Sequence, residues 1–137
     1  ACDRLWEQTP GMNFRPGIDG AAEIARVVRQ NPGLCVVAVV NDKVVGTLIG
    51  ASDGRRATLY HLAVAADYRH QGLATQMLAP VTAHLRAQGL RKVRLVVVNE
   101  NLAGVAFWTH LGFSQRRDVT YLDKALGPDD HTNVNTY

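Results

Sequence analysis

The chain has 137 residues, of which 47% are hydrophobic and 20% charged, with 12 glycines and 5 prolines. That length holds about one domain, and the composition suits a packed core and excludes a disordered tract. Fifteen Lys and Arg against twelve Asp and Glu leave a formal charge of +3; this admits an anionic partner, but the basic residues sit in small separate groups without interleaved aromatics, which argues against nucleic acid.

The chain opens with a short helix around Leu5 and Trp6. The stretch that follows, with Met12, Asn13, Phe14 and Arg15, mixes aromatic and polar residues; it could line a ligand cleft or simply cover a sheet. Ile24, Val27 and Val28 recur at helical spacing, so Ala21 to Gln30 is predicted as an amphipathic helix stopped by Asn31-Pro32-Gly33.

Leu34 to Val40 and Val44 to Gly50 are β-branched runs joined by Asn41-Asp42-Lys43, residues that tolerate the positive φ of a tight hairpin. Leu34 to Val40 is the longest apolar run at seven residues, against the roughly 18 a membrane helix needs. No charged-then-apolar leader precedes it. Cys35 stands inside it as a core residue. With Cys2 it forms neither a C-x-x-C pair nor a disulfide framework. The expectation is a cytoplasmic protein with no membrane partner. A turn at Ser52-Asp53-Gly54-Arg55 leads into a third strand, Ala57 to Val64, completing an antiparallel meander.

After Val64 the period changes from two to helical. Leu73, Met77, Leu78, Val81 and Leu85 share one face, Gly89 is placed as the stop, and Pro80 is expected to kink the helix. Lys92 to Val98 is predicted as a strand parallel to the third, because a helical crossover connects them. Asn101 is placed to cap a helix running to about His110. Phe113–Arg117 and Thr120–Leu126 are expected to be two closing strands, and Gly127–Tyr137 a disordered polar tail. The sequence contains no internal repeat, so residues 1–126 are taken as a single domain and 127–137 as its tail.

Chemistry concentrates where the third strand runs into the long helix, Tyr60-His61-Leu62-Ala63-Val64 to Arg69-His70-Gln71-Gly72-Leu73-Ala74. Unpaired amides at a helix start, with the positive end of the dipole, make a phosphate site, and a glycine lets a ligand approach the backbone. Gly72 could equally serve only a turn, with Arg69 solvated. No G-x-G-x-x-G follows a strand and no G-K-[ST] occurs, so dinucleotide-fold and P-loop readings lack their glycines.

The ordered set of a strand ending Leu62-Ala63-Val64, Arg69-x-x-Gly72-x-Ala74 opening a long helix, a strand, Asn101 before a helix, and Leu111-Gly112-Phe113 resembles the GNAT superfamily of acyl-CoA-dependent N-acetyltransferases. The resemblance spans about Leu34 to Leu126. It implies an α+β fold of three layers (α/β/α) around a mixed, mostly antiparallel sheet, with one parallel pair splayed at the cofactor. It also implies transfer of an acetyl group from acetyl-CoA to the primary amine of an unidentified small molecule or peptide. The family begins with a strand ahead of the Leu-Trp helix, and that strand is not accounted for here; an incomplete sheet would leave an edge open to a homodimer.

By the same resemblance the pyrophosphate loop falls on Arg69, His70, Gln71, Gly72, Leu73, Ala74 and Thr75. Backbone groups at Leu62, Ala63 and Val64 would hold the pantetheine arm and polarise the thioester. Asn101 matches an asparagine near that arm or is an N-cap alone, and Phe107 and Trp108 would lie beside it. Trp108 stands where the family often has a tyrosine able to protonate the leaving thiolate. The proton would then come from water or from Tyr121 or His110.

The attacking amine must first lose a proton, and His61, with an intrinsic pKa near 6.5, is the first candidate base. The alternative is a packed, hydrogen-bonded histidine. Tyr60 should face the opposite way on an alternating strand unless a bulge intervenes. His70, His84, His110 and His131 lack metal spacing, so no metal is expected. An acyl-CoA-binding module with the same fold and little catalysis is the alternative, motivated by Trp108 and the missing strand.

Overall fold

Two tight turns and one helical crossover organise the sheet. The computed structural model describes residues 2–8 and 20–127. Met12, Asn13, Phe14 and Arg15, His131, and all of the tail beyond Gly127 lie outside them. The elements are α1 (Cys2–Glu7), α2 (Ala21–Gln30), β1 (Cys35–Val40), β2 (Lys43–Ser52), β3 (Ala57–Val64), a single 3-10 turn (Ala66–Tyr68), α3 (Leu73–Ala87), β4 (Val93–Arg94) and α4 (Leu102–His110). They divide into two compact units at Leu95/Val96. The first carries everything from α1 to β4, and the second carries α4 and the segment after it.

In the first unit the strand order is β1-β2-β3-β4. β1 and β2 are antiparallel through a two-residue turn with Asn41 at φ 50° and Asp42 at φ 62°, the turn whose twist matches that of the flanking strands. β2 and β3 are antiparallel, and β3 and β4 are parallel. The sheet is therefore mixed, as expected.

Alternation along β2 assigns its faces. A side chain at Gly46 would press on Met77 and one at Gly50 on Val81, so these glycines let α3 pack close to the sheet. On the opposite face Ile49 joins Leu5, Trp6 and Ala63 in a cluster flanked by Ile24, Val27 and Cys35, which places α1 and α2 there. Helices thus cover both faces of the sheet.

The C-terminal end of α3 follows glycine chemistry. At α3 the Leu90 amide reaches the Leu85 carbonyl at 3.0 Å and the Gly89 amide the Arg86 carbonyl at 2.9 Å; Gly89, at φ 85°, takes the left-handed residue. The helix runs unbroken from Leu73 to Ala87 with Pro80 exposed on it. Among the described residues no helix is long and apolar enough to cross a membrane.

Two strand expectations are corrected. Of Lys92–Val98 only Val93 and Arg94 pair, with Ala57 and Thr58. A register shift in β3, with His61 at φ 49°, follows three residues beyond that last parallel pair, and such a bulge re-aims a strand and ends pairing. Phe113–Arg117 and Thr120–Leu126 form no strands. Their alternating pattern is present, but Val119, Tyr121, Leu122 and Leu126 are exposed, and strand propensity expresses itself only where a neighbouring strand and a packed face receive it. Instead Arg116 folds onto Asp118, Nη2 to Oδ2 at 2.6 Å.

Candidate functional site

The bulge decides how the end of β3 presents its residues. Against β2, Ile49 pairs with Tyr60 but Thr47 with Ala63, so the single residue Leu48 of β2 opposes two residues of β3, His61 and Leu62. Alternation of Tyr60 and His61 was expected unless a bulge intervened, and the register shift does fall in this stretch, between the Tyr60 and Ala63 pairs. Tyr60 is 37% exposed. His61 is half-buried and its imidazole stacks on the Trp6 indole, centroids 4.6 Å apart and planes 27° from parallel.

Beneath the stack lies a polar chain that the sequence reading did not find. Trp6 Nε1 donates to Thr47 Oγ1 at 2.8 Å, and Thr47 Oγ1 donates to the His61 carbonyl at 2.8 Å. Trp6 and Thr47 are 1% and 2% exposed. The available signal was a lone hydroxyl residue inside the apolar run Val44 to Gly50: a buried hydroxyl must find partners.

Past the bulge, Leu62 and Val64 are half-buried and Ala63 is buried. The Ala65 amide bonds the Val45 carbonyl at 2.8 Å, and the chain turns through Ala66–Tyr68 into the loop Arg69-His70-Gln71-Gly72. Arg69 is not simply solvated. Its Nε donates to the Val64 carbonyl at 2.9 Å, tying the loop to the strand end. Gln71 Nε2 reaches the Asp67 carbonyl at 3.1 Å.

His70 (φ 61°) and Gly72 (φ 77°) are both left-handed. Gly72 is the N-cap of α3 and supplies no side-chain bond; the first helical bond is Gln76 amide to Gly72 carbonyl at 3.0 Å. The amides of Leu73, Ala74 and Thr75 accordingly have no partner within the helix. No acidic residue occupies that first turn, and among the described residues beyond its chain neighbours a side chain at Gly72 would find no heavy atom within 4 Å. The arrangement is an open, positively polarised helix end, and its space beside Gly72 suits a phosphate group.

The second unit holds the other named residues. Asn101 caps α4, its Oδ1 accepting from the Gly104 amide at 3.0 Å. Trp108 is half-buried and held edge-on between Phe107 (5.3 Å) and Phe113 (5.0 Å). The Phe113 amide bonds the Trp108 carbonyl, and the Gly112 amide the Thr109 carbonyl, both at 3.0 Å. Leu111-Gly112-Phe113 is thus the helix stop itself, with the Trp108–Phe113 ring contact that commonly accompanies it. Tyr121 is 54% exposed.

Cys35 is no nucleophile by its surroundings. Burial pushes its thiol up from the ordinary cysteine range, partly offset by a 3.7 Å contact from Sγ to the Gly50 carbonyl. A raised pKa keeps the group protonated and unreactive at neutral pH.

A mixed sheet with a bulged third strand leading through an arginine-anchored loop into a glycine-led helix is the acetyltransferase class of fold. The chain belongs to the acetyltransferase (GNAT) family, whose model matches residues 2–113, and it is an acetyltransferase. It is similar to acetyltransferase SG1711 of Sodalis glossinidius, 34% identical over 91% of this chain and 87% of that protein. Its fold is similar to an aminoglycoside 6'-N-acetyltransferase from Acinetobacter haemolyticus, with TM-score 0.72 and 15% identity over 90% of each chain. It is also similar to a GNAT family acetyltransferase from Elizabethkingia anophelis solved with acetyl-CoA bound. That match has TM-score 0.56 and 19% identity over 69% of this chain and 61% of that one.

Proposed function

We propose that the chain transfers the acetyl group of acetyl-CoA directly to a primary amine of a small molecule or peptide. The observation that carries this reading is the helix end at Gly72. It has left-handed residues at 70 and 72, amides at 73 to 75 with no partner within the helix, no acid in the first turn, and space beside Gly72 among the described residues. These amides receive the pyrophosphate, and Arg69 holds the loop to Val64. Backbone groups at the bulged end of β3 meet the thioester carbonyl, where fixed donors stabilise the developing oxyanion.

The amine nitrogen attacks the carbonyl carbon, the C–S bond breaks, and the electron pair leaves with the CoA sulfur. The amine must shed a proton, which His61 takes directly or through water. Protonation of the thiolate falls to solvent. No covalent enzyme intermediate is required, which agrees with the protonated state of Cys35.

The test is thiol release from acetyl-CoA across a panel of amines, run beside calorimetry with CoA. Micromolar CoA binding with thiol release on at least one amine is expected. Binding without release on a broad panel contradicts transfer, and a folded chain that binds no CoA contradicts the site. A His61→Ala variant should lose the acidic limb of the pH-rate profile; an unchanged profile removes His61 as the base.

A further inference from the structure

We propose that Trp6 and Thr47 are positioning residues that hold the β3 bulge in its reactive geometry and so control turnover without touching acetyl-CoA. This rests on the reading of the bulged end of β3 as the thioester site. A bulge interrupts the regular ladder, and here the register shifts between the Ile49–Tyr60 and Thr47–Ala63 pairs, a stretch that includes His61. Thr47 adds a side-chain bond at that place, donating to the His61 carbonyl.

The hydroxyl has a single proton, so donation to His61 leaves Thr47 Oγ1 as the acceptor for the indole N–H of Trp6. The direction of the chain is therefore fixed, from α1 through β2 to β3. The same indole stacks on the His61 imidazole. One side chain thus restrains both the ring of His61 and, through Thr47, its peptide plane.

That plane matters because His61 is a non-glycine residue in left-handed backbone, a conformation that persists only where the surroundings enforce it. Rotation of the His61 peptide would swing the backbone groups of Leu62 and Ala63 that follow. The Arg69–Gly72 loop, by contrast, is tied separately through Arg69 to Val64. Loss of the Trp6–Thr47 link should disturb the acyl end of the site while sparing the phosphate end.

Three variants test this: Thr47→Val, which keeps the shape and removes the hydroxyl; Thr47→Ser, which keeps the hydroxyl; and Trp6→Phe, which keeps a stacked ring and removes the N–H. Thr47→Val should lower kcat by about tenfold or more with CoA affinity by calorimetry within about twofold of wild type. Thr47→Ser should restore kcat to within about threefold, and Trp6→Phe should fall between the two. A wild-type kcat in Thr47→Val, a parallel loss of CoA affinity, or a loss that Thr47→Ser does not restore overturns the proposal. If Thr47→Val fails to fold, Trp6→Phe decides, and an unaltered kcat there overturns it. A wild-type chain that binds no CoA, or releases no thiol with any amine, overturns instead the reading of the site on which the proposal rests.

Discussion

Gly72 joins two physical demands in one residue. Its φ of 77° favours glycine, and among the described residues beyond its chain neighbours no heavy atom lies within 4 Å of where a side chain would begin, which leaves room for a ligand. Any L-residue there meets backbone strain of about 1 kcal/mol. A glutamate adds a negative charge where pyrophosphate is proposed to bind. Gly72→Glu is expected to fold and to lose CoA affinity by at least about tenfold, or roughly 1.4 kcal/mol. Gly72→Ala carries the same strain without the charge and should lose less. Calorimetry with CoA measures both, and equal affinities for Gly72→Glu and wild type would refute the placement of the phosphate. The place of Gly72 at the start of α3 was legible in the sequence, since it precedes the helical run Leu73 to Leu85, but local physics left a plain turn as open as a phosphate site. The anchoring of Arg69 to Val64 was not legible, since nothing in residue identity says whether a guanidinium turns outward or back onto its own strand.

Among the elements, turns and helix ends carried the clearest signals. Asn41-Asp42, Gly89 and Leu111-Gly112-Phe113 each adopt the positive-φ geometry their residues favour, and Asn101 caps α4 as its position suggested. The turn joining β2 to β3 adds a titratable part. Asp53 Oδ1 accepts from the amides of Arg56 at 2.7 Å and Arg55 at 2.8 Å, and these bonds hold its carboxyl below the usual range. A lowered folded-state pKa means that the turn gains stability above the ordinary carboxylate pKa of about 3.9 and loses it as pH falls through the lower value. The melting temperature of Asp53→Ala should therefore lie below wild type at pH 7. The two should converge as pH drops towards 3, with thermal unfolding followed by circular dichroism. A constant gap across that range would exclude the carboxylate as the cause. The strands were less legible. Val93 to Val98 and the segment after Phe113 have strand-like residues, yet pairing depends on a neighbour whose place in the sheet no local pattern encodes. The bulge at His61 is likewise invisible in Tyr60-His61-Leu62, because it arises from register against β2.

For the molecule as a whole, the sequence led to the mixed sheet, the parallel pair and the acetyltransferase family, because those depend on the order of elements more than on any single boundary. It left the acceptor unnamed, since amine recognition is set by side chains whose arrangement has no motif. The order β1-β2-β3-β4 also has a consequence in time. Three consecutive strands joined by two tight turns form contacts that are close in sequence, whereas β4 reaches β3 only after the whole of α3 has been traversed. Closing short loops before long ones favours the meander as the folding nucleus and the parallel edge as a late addition. Val45→Ala, at a fully buried position of β2, should slow refolding by roughly tenfold, while Val93→Ala in β4 should chiefly accelerate unfolding. Stopped-flow refolding and unfolding across a denaturant series would show the reverse pattern if the crossover formed first. On this ordering, the parallel edge of β3 at Ala57 and Thr58 is the last part of the sheet to be completed and the first to open.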